Sequence, residues 1–461
     1  MVTARVGALR KKSLCACVAA FLAASSVNAT VDTDAIASST LGNMFPAPRS
    51  IVRSVTNCND SGVGSLREAI DAAVSGAAID LTQLTCSEIS LNGKLSVTVP
   101  DLMLLGPGAG ADATHVLAIH GTYGYRILEH GPGTLVVSGL KLAYGHYVGP
   151  LARGGCILSQ GTLIVEDSML TDCEVDAPAG SNGLAAGGAI YTQGELWMRD
   201  SVVTSNVVYS SANAAYGGGI FASSRVTIEG STISENEVIT AYADAVGGGV
   251  MVVGVDDVRI ASSTISGNEA EFAGGIRTDT LGTVQIVNST ISDNHASLYV
   301  GGGSFSNGPV ALRNSTVTRN TAYAYMAGIL SGEPLIVESS ILADNRDVAV
   351  DATFDVCAPS VTGSHNLIVA SCANTEPDLA QCPRLSALKN HGGLTSTHAL
   401  LPGSNGIDAG DNPTGLIADQ RGVRFSRSFG SAVDIGAYER QDEIEDAIFR
   451  SAFENRCDRY D

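Results

Sequence analysis

Between Gly217 and Asn320 the chain repeats one phrase four times: GGGIFASSRVTIEGSTISEN, GGGVMVVGVDDVRIASSTISGN, GGIRTDTLGTVQIVNSTISDN and GGGSFSNGPVALRNSTVTRN. Each copy opens on two or three glycines, runs through a short alternating apolar segment and closes on an asparagine. The closing residues Asn236, Asn268, Asn294 and Asn320 stand 32, 26 and 26 residues apart. A repeat of that length is one supersecondary unit that cannot bury its apolar face alone and must stack on its neighbours.

The residues inside one copy decide which kind of stack forms. Val226 and Ile228, Val258 and Ile260, Val284 and Ile286, and Val310 and Leu312 are spaced two apart, so each pair points one way from an extended strand. A second short strand follows in Ser-Thr-Ile-Ser and its variants, and nothing between has the length or period of a helix. The glycines suit sharp corners. The asparagines tolerate left-handed backbone and can bond the coil above through their amides. The fold expected is all-β, a single-stranded right-handed parallel β-helix, its hand taken from the general preference of parallel crossovers.

Weaker copies extend the array. GGCILSQGTLIVEDSMLTDC puts Cys173 where the closing asparagine would be, and the next ends at Asn206. AGILSGEPLIVESSILADN ends at Asn345, which makes seven coils between Gly154 and Asn345. Ahead of them, Ser65 and Glu68 spell a capping box. Leu66, Ala69, Ile70 and Ala73 share a helical face, and Gly76 is the expected stop. A short helix there would cover the open end of the apolar column. The expected divisions are a leader at 1–29, a loose lead at 30–50, an N-terminal cap at 51–85, the solenoid at 86–346, a small irregular C-terminal domain at 347–440 and an acidic tail at 441–461.

The leader carries Arg5, Arg10, Lys11 and Lys12, then an apolar run from Leu14 to Ala24 and a small-residue cleavage site at Val27 to Ala29. Its removal takes four positive charges and no acid from a chain of net charge −20, leaving −24. Nucleic acid and anionic membrane demand a basic face, so neither is an expected partner. No transmembrane segment is expected, and the chain reads as a monomer. An exported chain with an even number of cysteines reads as disulfide-bonded. The pairs expected are Cys58–Cys86, Cys156–Cys173 and Cys357–Cys372, with Cys382–Cys457 as a fourth. No Cys/His spacing suits zinc.

DSGVGSLREAIDAA, followed by an apolar strand, resembles the start of bacterial exported β-helix proteins called CSLREA-domain proteins, with Gly64 in place of the cysteine. After Asp347 the rhythm stops. SHNLIVASC, LSALKNHGGLTSTHALLPGSNGIDAGD, ADQRG and VDIGAYE resemble the choice-of-anchor Q domain over roughly Asn366 to Glu439. IFRSAFE resembles the short IFxxGFE-like tails of exported proteins, with Ala452 in the glycine's place. These resemblances imply a secreted or bacterial cell-surface protein associated with the outer membrane.

The β-helix is shared with pectate lyases and polygalacturonases, which makes a polysaccharide lyase or glycoside hydrolase the alternative to a non-catalytic adhesion or interaction protein. A lyase needs a basic residue near an acidic site; a glycosidase needs two carboxylates across the scissile bond. The candidates are Asp256 and Asp257 in a lengthened turn with Arg259, beside Asp200, Glu229 and Arg277. The Asn-Thr-Asp, Gly-His-Gly and Arg-Ile-Lys motifs of polygalacturonases do not occur. Tyr216, Phe272, Tyr299 and Tyr325 recur before the glycines, with Tyr209, Tyr242 and Tyr323 in the same loops. They form either packing of loops on the solenoid or a platform for sugar rings or a partner protein. Asp408, Asp411, Asp419, Asp434 and Glu439 cluster in the terminal domain with Arg421. They serve as turn caps and internal pairs, Asp419 with Arg421, or as ligands of a structural calcium. No other cofactor is expected. The partners expected are extracellular polysaccharide or host and cell-surface protein.

Overall fold

The computed structural model describes residues 52–109, 116–181, 183–211, 213–241, 244–372 and 383–441. The leader, the lead, Gly110, His115, Tyr242, Cys382, Cys457 and the tail from 442 therefore lie outside the described residues.

One coil shows how the sequence winds. Ile220–Ala222 lies in a first sheet, Val226–Glu229 in a second, Thr232–Ser234 in a third and Glu237–Thr240 in a fourth. The next coil repeats the four in parallel and in register, and the stack is a right-handed β-solenoid of about 11 turns. Val226, Val258, Val284 and Val310 align, as do Ile228, Ile260, Ile286 and Leu312. All eight are almost wholly buried. Each such side chain contributes about 1.5–3 kcal/mol by leaving water, so the column is the main source of stability.

Each coil must turn sharply, and two of its corners carry the side-chain ladders, each at a left-handed residue. Asp200, Ser262, Asn288 and Asn314 turn the second sheet into the third; Ser205, Glu235, Asp293 and Arg319 turn the third into the fourth. Left-handed backbone costs a non-glycine residue about 1–2 kcal/mol. The residue that follows each corner stabilises it. After the second turn stands an asparagine: Asn236 donates its amide Nδ2 to Asn268 Oδ1 at 2.9 Å and to the carbonyl of Val203 at 3.0 Å, while its backbone N–H donates to the same Asn268 oxygen at 3.0 Å. Asn206, Asn294, Asn320 and Asn345 lie in the same ladder. After the first turn stands a serine. Ser231 donates to the carbonyl of Glu229 at 2.8 Å, and its oxygen accepts the amide of Ser201 at 3.1 Å. This serine ladder was written in the sequence at Ser168, Ser201, Ser231, Ser263, Ser289, Ser315 and Ser340, yet only the asparagines were expected to bond between coils.

The coils extend beyond both expected limits. Val52–Ser54 already pairs with Ala77–Asp80, and Ile341 and Leu342 pair with Leu367 and Ile368. The outer coils lack the glycine-to-asparagine phrase because backbone pairing and apolar burial suffice without the ladder. At the N-terminal end the helix Leu66–Asp71 covers the column with Leu66, Ala69 and Ile70, and Ser65 accepts the Glu68 amide at 3.2 Å. The helix stops at Asp71, short of Gly76 and before Ala73. Cys58 bonds Cys86, Cys156 bonds Cys173 and Cys357 bonds Cys372.

Residues 383–441 are joined by isolated antiparallel bridges rather than strands and fold back over the third sheet. The repeated threonines meet them: Thr264 donates to the Ser396 carbonyl at 2.6 Å, Thr290 to Gln420 Oε1 at 2.6 Å, and Thr316 accepts the Ala437 amide at 3.1 Å. Gln420 Nε2 returns to Thr264 at 2.8 Å and to Thr395 at 2.9 Å. Leu400 and Ile435 pack on Ile341 and Leu367. Thr232, one coil earlier, is only half-buried, which marks where this covering ends.

Candidate functional site

Asp256, Asp257 and Arg259 each bond a different part of the scaffold. Asp256 accepts the Ser224 hydroxyl at 3.0 Å, and Asp257 accepts the Thr283 amide of the next coil at 2.8 Å. Arg259 projects from the second sheet, donates to Gln285 at 3.3 Å and feels the charge of Glu229. Alternation along the strand explains this separation: the acids sit in the turn, whereas Arg259 is on the outer face between two inward residues. Arg277 lies on the first sheet and donates to Ser304 in register at 2.5 Å. Asp200 and Glu229 are both raised, by burial first.

The four aromatic residues divide. Phe272 stacks on Tyr299 at 5.3 Å and Tyr299 on Tyr325 at 4.7 Å. Tyr216 is parted from them by Val246, which pairs with Tyr216 on one side and Phe272 on the other. Tyr216 instead lies edge-on to Phe221 at 6.5 Å, over a small outer core of Tyr191, Phe221 and Met251. The short strands Ala215–Tyr216 and Ala245–Val246 therefore lie across the outside of the first sheet. In the three-ring stack the inner faces are covered by one another, worth about 0.5–1.5 kcal/mol per pair.

Beside this flank runs an open groove of about 460 Å³, lined among others by Glu237, Asp244, Glu269, Glu271 and Ser297. Glu237 and Glu269 stand opposite each other on neighbouring coils. Burial, then the charge of Glu269, raises the Glu237 carboxyl. Among the described residues no lysine, arginine or histidine lines it. The sequence contained this pair, but only the register showed that two glutamates 32 residues apart share one face.

The acids expected to share a cation each accept hydrogen bonds from the fold around them. Asp408 accepts the amides of Ser431 and Ala432 at 2.9 and 3.1 Å and lies below the usual carboxylate range, the Ala432 bond being the main cause. Asp411 accepts the Asn412 amide at 2.7 Å. Asp434 accepts the Asp408 and Arg440 amides at 2.8 and 2.7 Å. Asp419 pairs with Arg421 at 2.7 Å and accepts the Glu439 amide at 2.9 Å. The Arg421 guanidinium is sandwiched by Phe425 and Tyr438 at 3.8 and 3.9 Å. Among the described residues no three His, Cys, Asp or Glu side chains gather to hold a metal.

With this geometry in view, the family model for the right handed beta helix region matches residues 154–341. The fold is a right-handed parallel β-helix. The crystal structure of pectate lyase Pel9A superposes with a TM-score of 0.39 at 12% identity, over 85% of this chain and 96% of that chain. No curated protein matches the chain by sequence. Among the described residues no helix is long and apolar enough to cross a membrane.

Proposed function

We propose that the chain is an exported, non-catalytic binding protein of the cell surface or medium, serving adhesion to extracellular polysaccharide or surface protein. The observation that carries this reading is how the acids and arginines expected to do chemistry are engaged. Asp256, Asp257 and Arg259 each bond a different group of the scaffold, so the solenoid presents a rigid acidic face rather than an acid–base constellation. Three disulfides suit an oxidising compartment. In this reading the N-terminal segment is a CSLREA-type cap and residues 366–439 a choice-of-anchor Q unit. The test is retention on immobilised acidic and neutral polysaccharides, with a parallel assay for ultraviolet-absorbing unsaturated products, with and without calcium. Retention without product is expected; product formation abolished by Arg259→Ala would overturn the reading.

One observation favours the alternative, a glycoside hydrolase or polysaccharide lyase. Glu237 and Glu269 are paired carboxylates in one groove, and the raised Glu237 is the acid-like partner. New reducing ends released by the wild type and lost in Glu237→Gln would establish it.

A further inference from the structure

A second aromatic group lies away from the groove, near the N-terminal end of the fourth sheet. Tyr123, Tyr125 and Tyr144 are 72%, 49% and 52% exposed, whereas the stacked rings Phe272, Tyr299 and Tyr325 are only partly so. Tyr123 tops a tight turn that the Tyr125 amide closes on the Thr122 carbonyl at 3.2 Å, with Gly124 at φ +90° as the position a side chain would strain. The turn is pinned to His146, whose amide donates to the Tyr125 carbonyl at 3.1 Å. A Cβ on Gly121 would stand 2.5 Å from the Gly145 Cα, so only glycine lets the turn approach the Tyr144 corner this closely.

Two imidazoles hold the rings. His146 meets Tyr123 edge-to-face at 4.5 Å and lies 3.6 Å from Glu174; His120 meets Tyr144 edge-to-face at 5.1 Å and lies 3.4 Å from Glu88. Unlike the three-ring stack, these tyrosines do not stack face-to-face on one another. Leaving several large rings in water on a pinned turn is unfavourable unless something covers them.

We propose that Tyr123, Tyr125 and Tyr144 form a stacking platform for the pyranose rings of a neutral polysaccharide. This rests on the binding reading above and names its ligand class and its place. A tyrosine face offers flat apolar area to the C–H face of a sugar, and its hydroxyl stays wet. The Glu88 and Glu174 carboxylates at the rim accept sugar hydroxyls and repel uronates. Tyrosine also loses little conformational freedom on binding, which suits a rigid platform.

The test is affinity electrophoresis of the full chain through gels holding mixed-linkage β-glucan, galactomannan or polygalacturonate, with a cellulose pull-down. Wild type is expected to be retarded by at least one neutral polymer. The pair Tyr123→Ala and Tyr144→Ala should weaken that binding about tenfold or more, as loss of an aromatic anchor does. Tyr123→Phe should keep it, and thermal midpoints should not move because these side chains are exposed. No binding to any neutral polymer, or binding unchanged in the double alanine variant, overturns the platform. If binding instead falls in Tyr299→Ala or Glu269→Ala, the platform fails while the binding reading stands. If nothing is retained and unsaturated product appears, the binding reading itself has failed.

Discussion

Asp355 ends the asparagine ladder. Its Oδ1 accepts both the Asn345 amide and Asn345 Nδ2, at 3.0 and 2.8 Å, and its Oδ2 accepts the Ala370 amide at 2.9 Å. Every asparagine above donates toward the C-terminal end, and the Asp355 side chain supplies the last acceptor. Complete burial nonetheless pushes the carboxyl up to about 8. An acid raised from its ordinary 3.8 binds a proton more tightly when folded. Its stabilising contribution is therefore full below the lower value and lost as pH rises toward the upper one. Asp355→Asn should flatten that part of the stability–pH curve, seen as a thermal midpoint falling less than wild type between those limits. Asp355→Ala takes the acceptor from the Asn345 and Ala370 amides, while Asn345 Nδ2 keeps the Val317 and Ala343 carbonyls, and should cost about 2 kcal/mol or more in chemical denaturation. Within the ladder, Asn268→Ala strips the acceptor from Asn236 and should cost about 2–4 kcal/mol by the same measurement.

Among the elements, the disulfide Cys156–Cys173 joins the first to the last part of one coil, where Cys173 stands in the asparagine ladder and its amide still donates to Asn206 at 2.9 Å. It closes a short loop, with a sequence separation of 17. Replacing both cysteines with serine should lower unfolding free energy by about 3 kcal/mol while the coils below, held by their own ladder, keep their register. Amide exchange would show this as protection lost around residues 156–173 and retained around Ile260 and Ile286. The repeat itself was legible because each corner demands a left-handed residue followed by a ladder residue. That demand writes Ser-x-Ile/Val…Asn in the five coils that close from Asn206 to Asn320. The cap helix was legible in type but ended early, since tertiary packing of Leu66 and Ile70, not helix propensity, sets its length.

For the molecule as a whole, the returning C-terminal segment is the part most open to control by pH. His398 lies at its interface with the solenoid. Its Nδ1 donates to the Ser386 carbonyl at 2.8 Å, and its Nε2 lies 2.7 Å from the Ser292 oxygen, whose hydroxyl donates to Asp293. Charged groups around it are Asp293, whose Oδ2 lies 2.8 Å from the same Ser292 hydroxyl, Arg319 and His391. Burial lowers both His398 and His391 to about 4 from an ordinary 6.5. The unfolded chain therefore takes up more protons in that interval, and stability falls as pH drops through it. Proteolysis within 383–441 should accelerate between those two values in the wild type and much less in His398→Gln. Gln420→Ala removes the bridge joining Thr264, Thr290 and Thr395 and should expose the same segment at neutral pH.

Residue order alone determined that the chain winds into stacked coils, which residues face inward and which cysteines lie near one another, because period and corner chemistry are local properties. What shares a surface was decided by the tertiary structure. Register brought Glu237 opposite Glu269, and Val246 cut Tyr216 from the stack. Backbone approach at Gly121 and Gly145 brought the Tyr123 turn against the Tyr144 corner, and the fold-back gave the repeated threonines their partners. Such neighbours are tens of residues apart, or more than a hundred, and their spacing in sequence holds no record of contacts made by winding.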